Sequence, residues 1–67
     1  MYIVEKQWNL GDYAVLFINP EITEVKYNAV EIDGEKYKLV PCMDIRDTIA
    51  IESEGRFEGK KVEFIKI

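Results

Sequence analysis

Val30-Glu31-Ile32-Asp33-Gly34-Glu35-Lys36-Tyr37-Lys38-Leu39 is the stretch on which the fold turns. Two runs of alternating apolar and polar residues flank Asp33-Gly34. That dipeptide suits a two-residue hairpin loop, because both central positions of a type I′ turn need φ > 0. In this register Ile32 faces Glu35, Glu31 faces Lys36 and Val30 faces Tyr37. Val30, Ile32, Tyr37 and Leu39 then line one face, with Glu31 and Lys36 as an opposite-charge pair on the other.

Upstream, Tyr2 to Trp8 also alternates, and period two means a half-buried strand. Tyr2, Val4 and Trp8 share one parity with the stem of Lys6 between them, and Glu5 and Gln7 point the other way. Asn9-Leu10-Gly11-Asp12 is expected to turn. Tyr13 to Ile18 is apolar on both faces, the pattern of a strand covered on both sides. Asn19-Pro20 stops it. Pro20 to Asn28 supports two readings. Asn19-Pro20-Glu21 is a fair helix start, with Ile22, Val25 and Ala29 on one helical face. The poor helix formers Ile22, Thr23, Val25, Tyr27, Asn28 and Val30 argue instead for a turn at Pro20-Glu21 and then a strand. A bulge near Asn28 or Ala29 would carry the apolar parity from Val25 and Tyr27 to Val30 and Ile32.

Downstream, Pro41 to Asp47 connects two strands. Thr48 to Glu52 alternates with Ile49 and Ile51 on one face. Ser53 to Arg56 turns, Phe57 plugs the core, and Gly59-Lys60 turns again. Lys61 to Ile67 is the last strand, with Val62 and Phe64 on one face and Ile65 and Ile67 on the other. Five to six short strands joined by tight turns predict an all-β fold, a small antiparallel barrel or strongly curled sheet formed by residues 1–67 as one domain. An SH3-like barrel is preferred over an OB-like one, because the Pro41–Asp47 connection is too short and proline-marked for a good helix. The segment Phe57-Glu58-Gly59-Lys60-Lys61-Val62-Glu63-Phe64, with the Asp33-Gly34 hairpin, is similar in shape to hairpins of SH3-like barrels and of the second domain of translation GTPases. That analogy of fold carries no residue over.

Composition bounds the function. The chain has 67 residues, 48% hydrophobic and 33% charged, with a formal net charge of −4. Abundant β-branched and aromatic residues exclude disorder. The longest apolar run, Ala14 to Ile18, falls far short of the ~20 residues of a membrane helix. Met1 to Glu5 lacks a basic region followed by an apolar core, and Cys42 is the only cysteine; both point to the cytoplasm. There is no histidine, which removes the commonest general base and metal ligand and both Ser-His and Cys-His nucleophile pairs. No cofactor or metal is implied, and no enzyme activity is expected.

Four groups of residues are candidates for chemistry. Asp44 and Asp47 flank Ile45-Arg46 with oxygen ligands for a hard cation, but acids in turns usually bond nearby backbone instead. Cys42 lacks a cationic neighbour that would activate it and reads as a small buried hydrophobe. Arg56, Phe57, Lys60 and Lys61 combine positive charge with an aromatic, the chemistry that holds single-stranded nucleic acid. Glu54, Glu58 and Glu63 interleave with them and the pI is near 4.7, so nucleic acid is the weaker partner. The aromatics Trp8, Tyr13, Tyr27 and Tyr37 suggest a groove for a protein or peptide, with Trp8 partly exposed and Tyr37 drawn toward the core. The expectation is therefore a binding module, a monomer or a weak homodimer. The homodimer would form through Met1–Gln7 or Lys61–Ile67 if either is left as an edge strand.

Overall fold

The computed structural model describes residues 2–23, 26–40 and 47–67. Six strands appear among them: β1 Tyr2–Leu10, β2 Tyr13–Asn19, β3 Ala29–Ile32, β4 Glu35–Val40, β5 Thr48–Glu52 and β6 Lys61–Ile65. All pair antiparallel, in the order β1-β2-β5-β4-β3-β6, and β6 returns to β1 to close a barrel. Closure answers the problem of a small sheet: no strand is left with a whole edge of unpaired backbone, and the apolar face turns inward. Val4, Ala14, Leu16, Ile18, Val30, Ile32, Ile49, Ile51 and Val62 fill the interior, with Phe57 entering from one end. Burying each larger aliphatic side chain contributes about 1.5–3 kcal/mol.

The β3–β4 hairpin has the register its turn chemistry dictates. Ile32 pairs with Glu35, Glu31 with Lys36 and Val30 with Tyr37. Asp33 and Gly34 both adopt positive φ, 54° and 81°. β5 spans Thr48–Glu52 as expected, with Ile49 and Ile51 facing Leu16 and Ala14 across the interior side of the sheet.

Four expectations need correction. β1 runs on through Asn9 and Leu10, so the first hairpin loop is only Gly11-Asp12, with Leu10 paired to Tyr13. Within β1 the register shifts between Val4 and Lys6. The extra residue, Glu5, reverses the parity beyond it, so Gln7 points inward and Trp8 outward. The strand covered on both faces is β5, buried from Thr48 to Ile51, whereas β2 leaves Tyr13 exposed and Val15 and Phe17 half-buried. Finally, residues 20–23 and 26–28 are neither helix nor strand. Tyr27 precedes β3, so its parity needs no bulge at Asn28 or Ala29. Val25, and the 41–46 part of the connection on which the SH3-like preference rested, lie outside the described residues.

Two long connections close the ends of the barrel. Residues 20–23 leave β2 beside Ile3, and residues 26–28 arrive where Asn28 meets β6. There the Asn28 amide donates to the Ile67 carbonyl at 2.9 Å and accepts from the Ile67 N–H at 2.9 Å. Tyr2, Tyr27 and Phe64 stack at this end, with ring centroids 4.9 Å apart for Tyr2–Phe64 and 4.6 Å for Tyr27–Phe64. Residues 53–60 close the opposite end and bring Phe57 into the mouth.

Gly34 has open space around it, and its requirement is conformational rather than steric. Gly34→Ala should destabilise the protein by about 1–2 kcal/mol, the cost of placing a Cβ in the left-handed region. Urea unfolding would show a lower midpoint with an unchanged m-value.

Candidate functional site

The β1–β2 hairpin presents a row of large side chains on its outer face. With the parity reset at Glu5, Lys6, Trp8 and Leu10 all point away from the core. Trp8 lies opposite Val15, and Leu10 lies opposite Tyr13. Trp8 is 50% exposed, Leu10 63% and Tyr13 42%. Glu52 of β5 continues the row beyond Tyr13. The outer face of β3, β4 and β6 is different. It carries Glu31 between Lys36 and Glu63, with Lys38 and Lys61 nearby along their strands. The barrel therefore has a charged side and an apolar one.

The four aromatics expected to form one groove are split three ways. Trp8 and Tyr13 share the apolar face on adjacent rungs. Tyr27 is half-buried against Phe64 at the end where Asn28 meets Ile67. Tyr37 lies inside the opposite mouth, edge-on to Phe57 with centroids 5.5 Å apart. Leu10 is the part of the exposed row that sequence reasoning missed. Its signal was Gly11-Asp12, which, taken as a complete two-residue loop, places Leu10 directly across from Tyr13.

Of the basic cluster, Phe57 is buried, at 6% exposure, and cannot stack on a base. Arg56 donates to Glu58 Oε1 at 2.6 Å and to Asn9 Oδ1 at 3.0 Å. Lys60 is paired with Asp33, tying the 53–60 connection to the β3–β4 turn. Only Lys61 has no such partner described. Asp47 accepts from the backbone N–H of Ile22 at 3.0 Å through Oδ1, and its carbonyl accepts from Ile18 N–H, so its side chain ties a distant connection rather than the backbone of its own turn. Cys42 and Asp44 lie outside the described residues. Among the described residues no group of three or more His, Cys, Asp or Glu is placed to hold a metal, and no helix is long and apolar enough to cross a membrane.

Phe57 is held by a side chain the sequence pattern placed outside. The Gln7 amide donates to the Gly55 carbonyl at 2.7 Å and accepts from the Phe57 N–H at 2.7 Å. Its side chain thus replaces a strand neighbour for a segment that has none. Gly55 is needed for close approach, since a Cβ there would lie 3.1 Å from Phe57 Cζ. Above the ring, burial raises the Tyr37 phenol above its ordinary value of 10.0, with Glu35 and Asp33 adding to the shift and Lys60 opposing it.

No family model matches this chain, and no curated protein or solved structure is significantly similar to it. The functional reading therefore rests on the surface itself.

Two predictions follow from the mouth of the barrel. Gln7→Leu strands a buried N–H and a carbonyl, and should cost about 2–3 kcal/mol in urea unfolding. Combined with Phe57→Ala, it should cost less than the sum of the two, because the amide then holds nothing of consequence. For Tyr37 the sign is fixed by the raised pKa. Below pH 10 the phenol is protonated in both folded and unfolded chains; above it the unfolded chain ionises first, so stability falls as pH rises. Tyr37→Phe should flatten that alkaline decline in a pH series of melting temperatures.

Proposed function

We propose that this barrel is a binding module without catalysis of its own, working in the cytoplasm and recognising a protein or peptide through the outer face of β1 and β2. The observation that carries the reading is the exposed row of Trp8, Leu10 and Tyr13 on a rigid paired hairpin. Large aromatics at low entropic cost are the usual anchors of protein interfaces. A contiguous apolar row, in a chain with enough charge to cover its opposite side, is a surface suited to a partner. The reducing compartment is supported by the single Cys42, and the absence of catalysis by the absence of histidine.

The test is capture on the immobilised barrel from a lysate of its source, in parallel arms with and without nuclease. A protein retained in both arms and reduced about tenfold by Trp8→Ala, the loss of one interface anchor, is the expected outcome. Capture indifferent to Trp8→Ala, or abolished by nuclease or modest salt, would overturn the reading; in the latter case phosphate contacts dominate.

A further inference from the structure

We infer that residues 54–58 form a hinged lid: they swing out as a unit while all six strands stay paired, and the socket that Phe57 leaves takes one apolar ring from another molecule. The warrant is what such a movement breaks and what it keeps. Glu54, Gly55, Arg56 and Glu58 are exposed, and Phe57 among them is buried. A single ring of this stretch therefore belongs to the core. The charged side chains around it stay hydrated whether the stretch is in or out.

Swinging out breaks the two bonds of the Gln7 amide, to the Gly55 carbonyl and from the Phe57 N–H, and the bond from Arg56 to Asn9 Oδ1. It also parts the Phe57 ring from Tyr37. The Arg56–Glu58 pair lies within the stretch and travels with it. The anchors on either side remain. Ser53 N–H still donates to the Asp12 carbonyl at 3.1 Å, Gly59 N–H to the Val4 carbonyl at 2.8 Å, and Val4 N–H to the Lys60 carbonyl at 3.0 Å. The bond from Lys60 N–H to the Phe57 carbonyl sits at the hinge itself. Beside it is Gly59, whose φ of 82° is open to glycine at no steric cost. None of the strand registers includes a residue of 54–58. An opening that gives up few buried contacts and no ladder lies far below global unfolding in free energy.

The socket has a defined chemistry. One wall is the Tyr37 ring, which meets Phe57 edge-on with centroids 5.5 Å apart, and the rest is the apolar interior. A dry apolar space of that size accepts a small aromatic ring. Gln7 points to the inner side of β1, away from the Trp8 row, so the lid does not rest on the docking role of that face.

Amide hydrogen exchange on the whole chain, with and without benzene, tests this directly. Leu16, fully buried and paired on both sides in β2, reports global unfolding. After correction for intrinsic rates, the Phe57 N–H should exchange at least about a hundredfold faster than that of Leu16. Its rate should hold in low urea, while that of Leu16 climbs. Benzene enters only the open form. It should therefore raise the Phe57 rate roughly tenfold at ten times its dissociation constant, by mass action, and leave Leu16 unchanged. A Phe57 N–H that shares the rate and urea dependence of Leu16 overturns the lid. A fast Phe57 indifferent to benzene up to its solubility, or benzene quickening both amides alike, overturns the socket.

Discussion

The hydrogen bonds from the Gln7 amide to Gly55 and Phe57 are the constraint on which the rest of the barrel depends. Six strands enclose a narrow interior, but a ring of strands is open at both ends. One mouth is closed by Phe57, in the middle of the 53–60 connection, whose backbone is bonded to Asp12 at Ser53 and to Val4 at Gly59 and Lys60 but to no strand at Gly55–Phe57. A large ring on a stretch held only at its ends would exchange between the core and water. Two charge-neutral hydrogen bonds to the loop backbone oppose this, and because the bond to Phe57 N–H is buried, breaking it leaves that group without water to replace the lost partner. The Asp33–Lys60 pair adds an exposed tether at the same end, where screening leaves such a contact worth little. Backbone bonds anchor the two ends of the connection, at Ser53 and at Gly59–Lys60, and the amide holds its middle.

That clamp exists because β1 contains one residue too many. Glu5 has no partner on β2, and the shift between Val4 and Lys6 turns Gln7 inward in the same step that turns Trp8 and Leu10 outward. A strict alternation through Tyr2, Val4, Lys6 and Trp8 would have put the tryptophan where the amide lies and left the mouth without its clamp. One irregularity thus sets both the closure of the core and the character of the surface. Asn28 does at the other end what Gln7 does at the first, pairing its side chain with both polar groups of Ile67. In a chain with a single cysteine and so no internal disulfide, side-chain amides standing in for backbone hold the irregular segments.

The sequence was legible wherever local chemistry decided the outcome. Asp33-Gly34 demands one loop conformation, that loop demands one register, and alternating residues on both sides agree with it, so β3 and β4 could be paired residue by residue. Phe57 as a plug was legible too, as a lone large apolar residue between two turns. The parity of β1 was not, because a bulge depends on how two distant strands meet and leaves no mark in composition; Glu5 is an unremarkable residue at a strand position. Residues 20–28 were ambiguous for a related reason. Among the described residues, Ile22 and Tyr27 are used to cap an end of the barrel, a task with neither a period of two nor one of 3.6. The aromatic groove failed as a single unit because exposure and adjacency are tertiary properties: Tyr27 and Tyr37 are needed at opposite ends, and only Trp8 and Tyr13 remain together.

Closure also decides which interactions are left to this protein. An open sheet of this composition would associate through its edges, strand adding to strand. Here β1 and β6 are joined through Tyr2–Val62 and Ile3–Lys61, and further sealed by Val4 N–H to the Lys60 carbonyl and Gly59 N–H to the Val4 carbonyl. The two strands are therefore joined over Tyr2–Val4, and side chains on an outer face offer a route to association besides strand addition. The two faces are not equal candidates. On the β3–β4–β6 side, Glu31 and Glu63 are directly opposed and Lys36 and Lys38 keep the surface hydrated, so desolvation there would be costly. On the β1–β2 side the largest exposed side chains cost little to dehydrate and gain from it. The residue count makes the contrast pointed: a small barrel needs nearly every large apolar side chain inside, yet a tryptophan and a leucine stand outside on a paired, ordered strand. Their placement follows from the same bulge that secures the core, and a register that alternated straight through Glu5 would lose the surface and the clamp together.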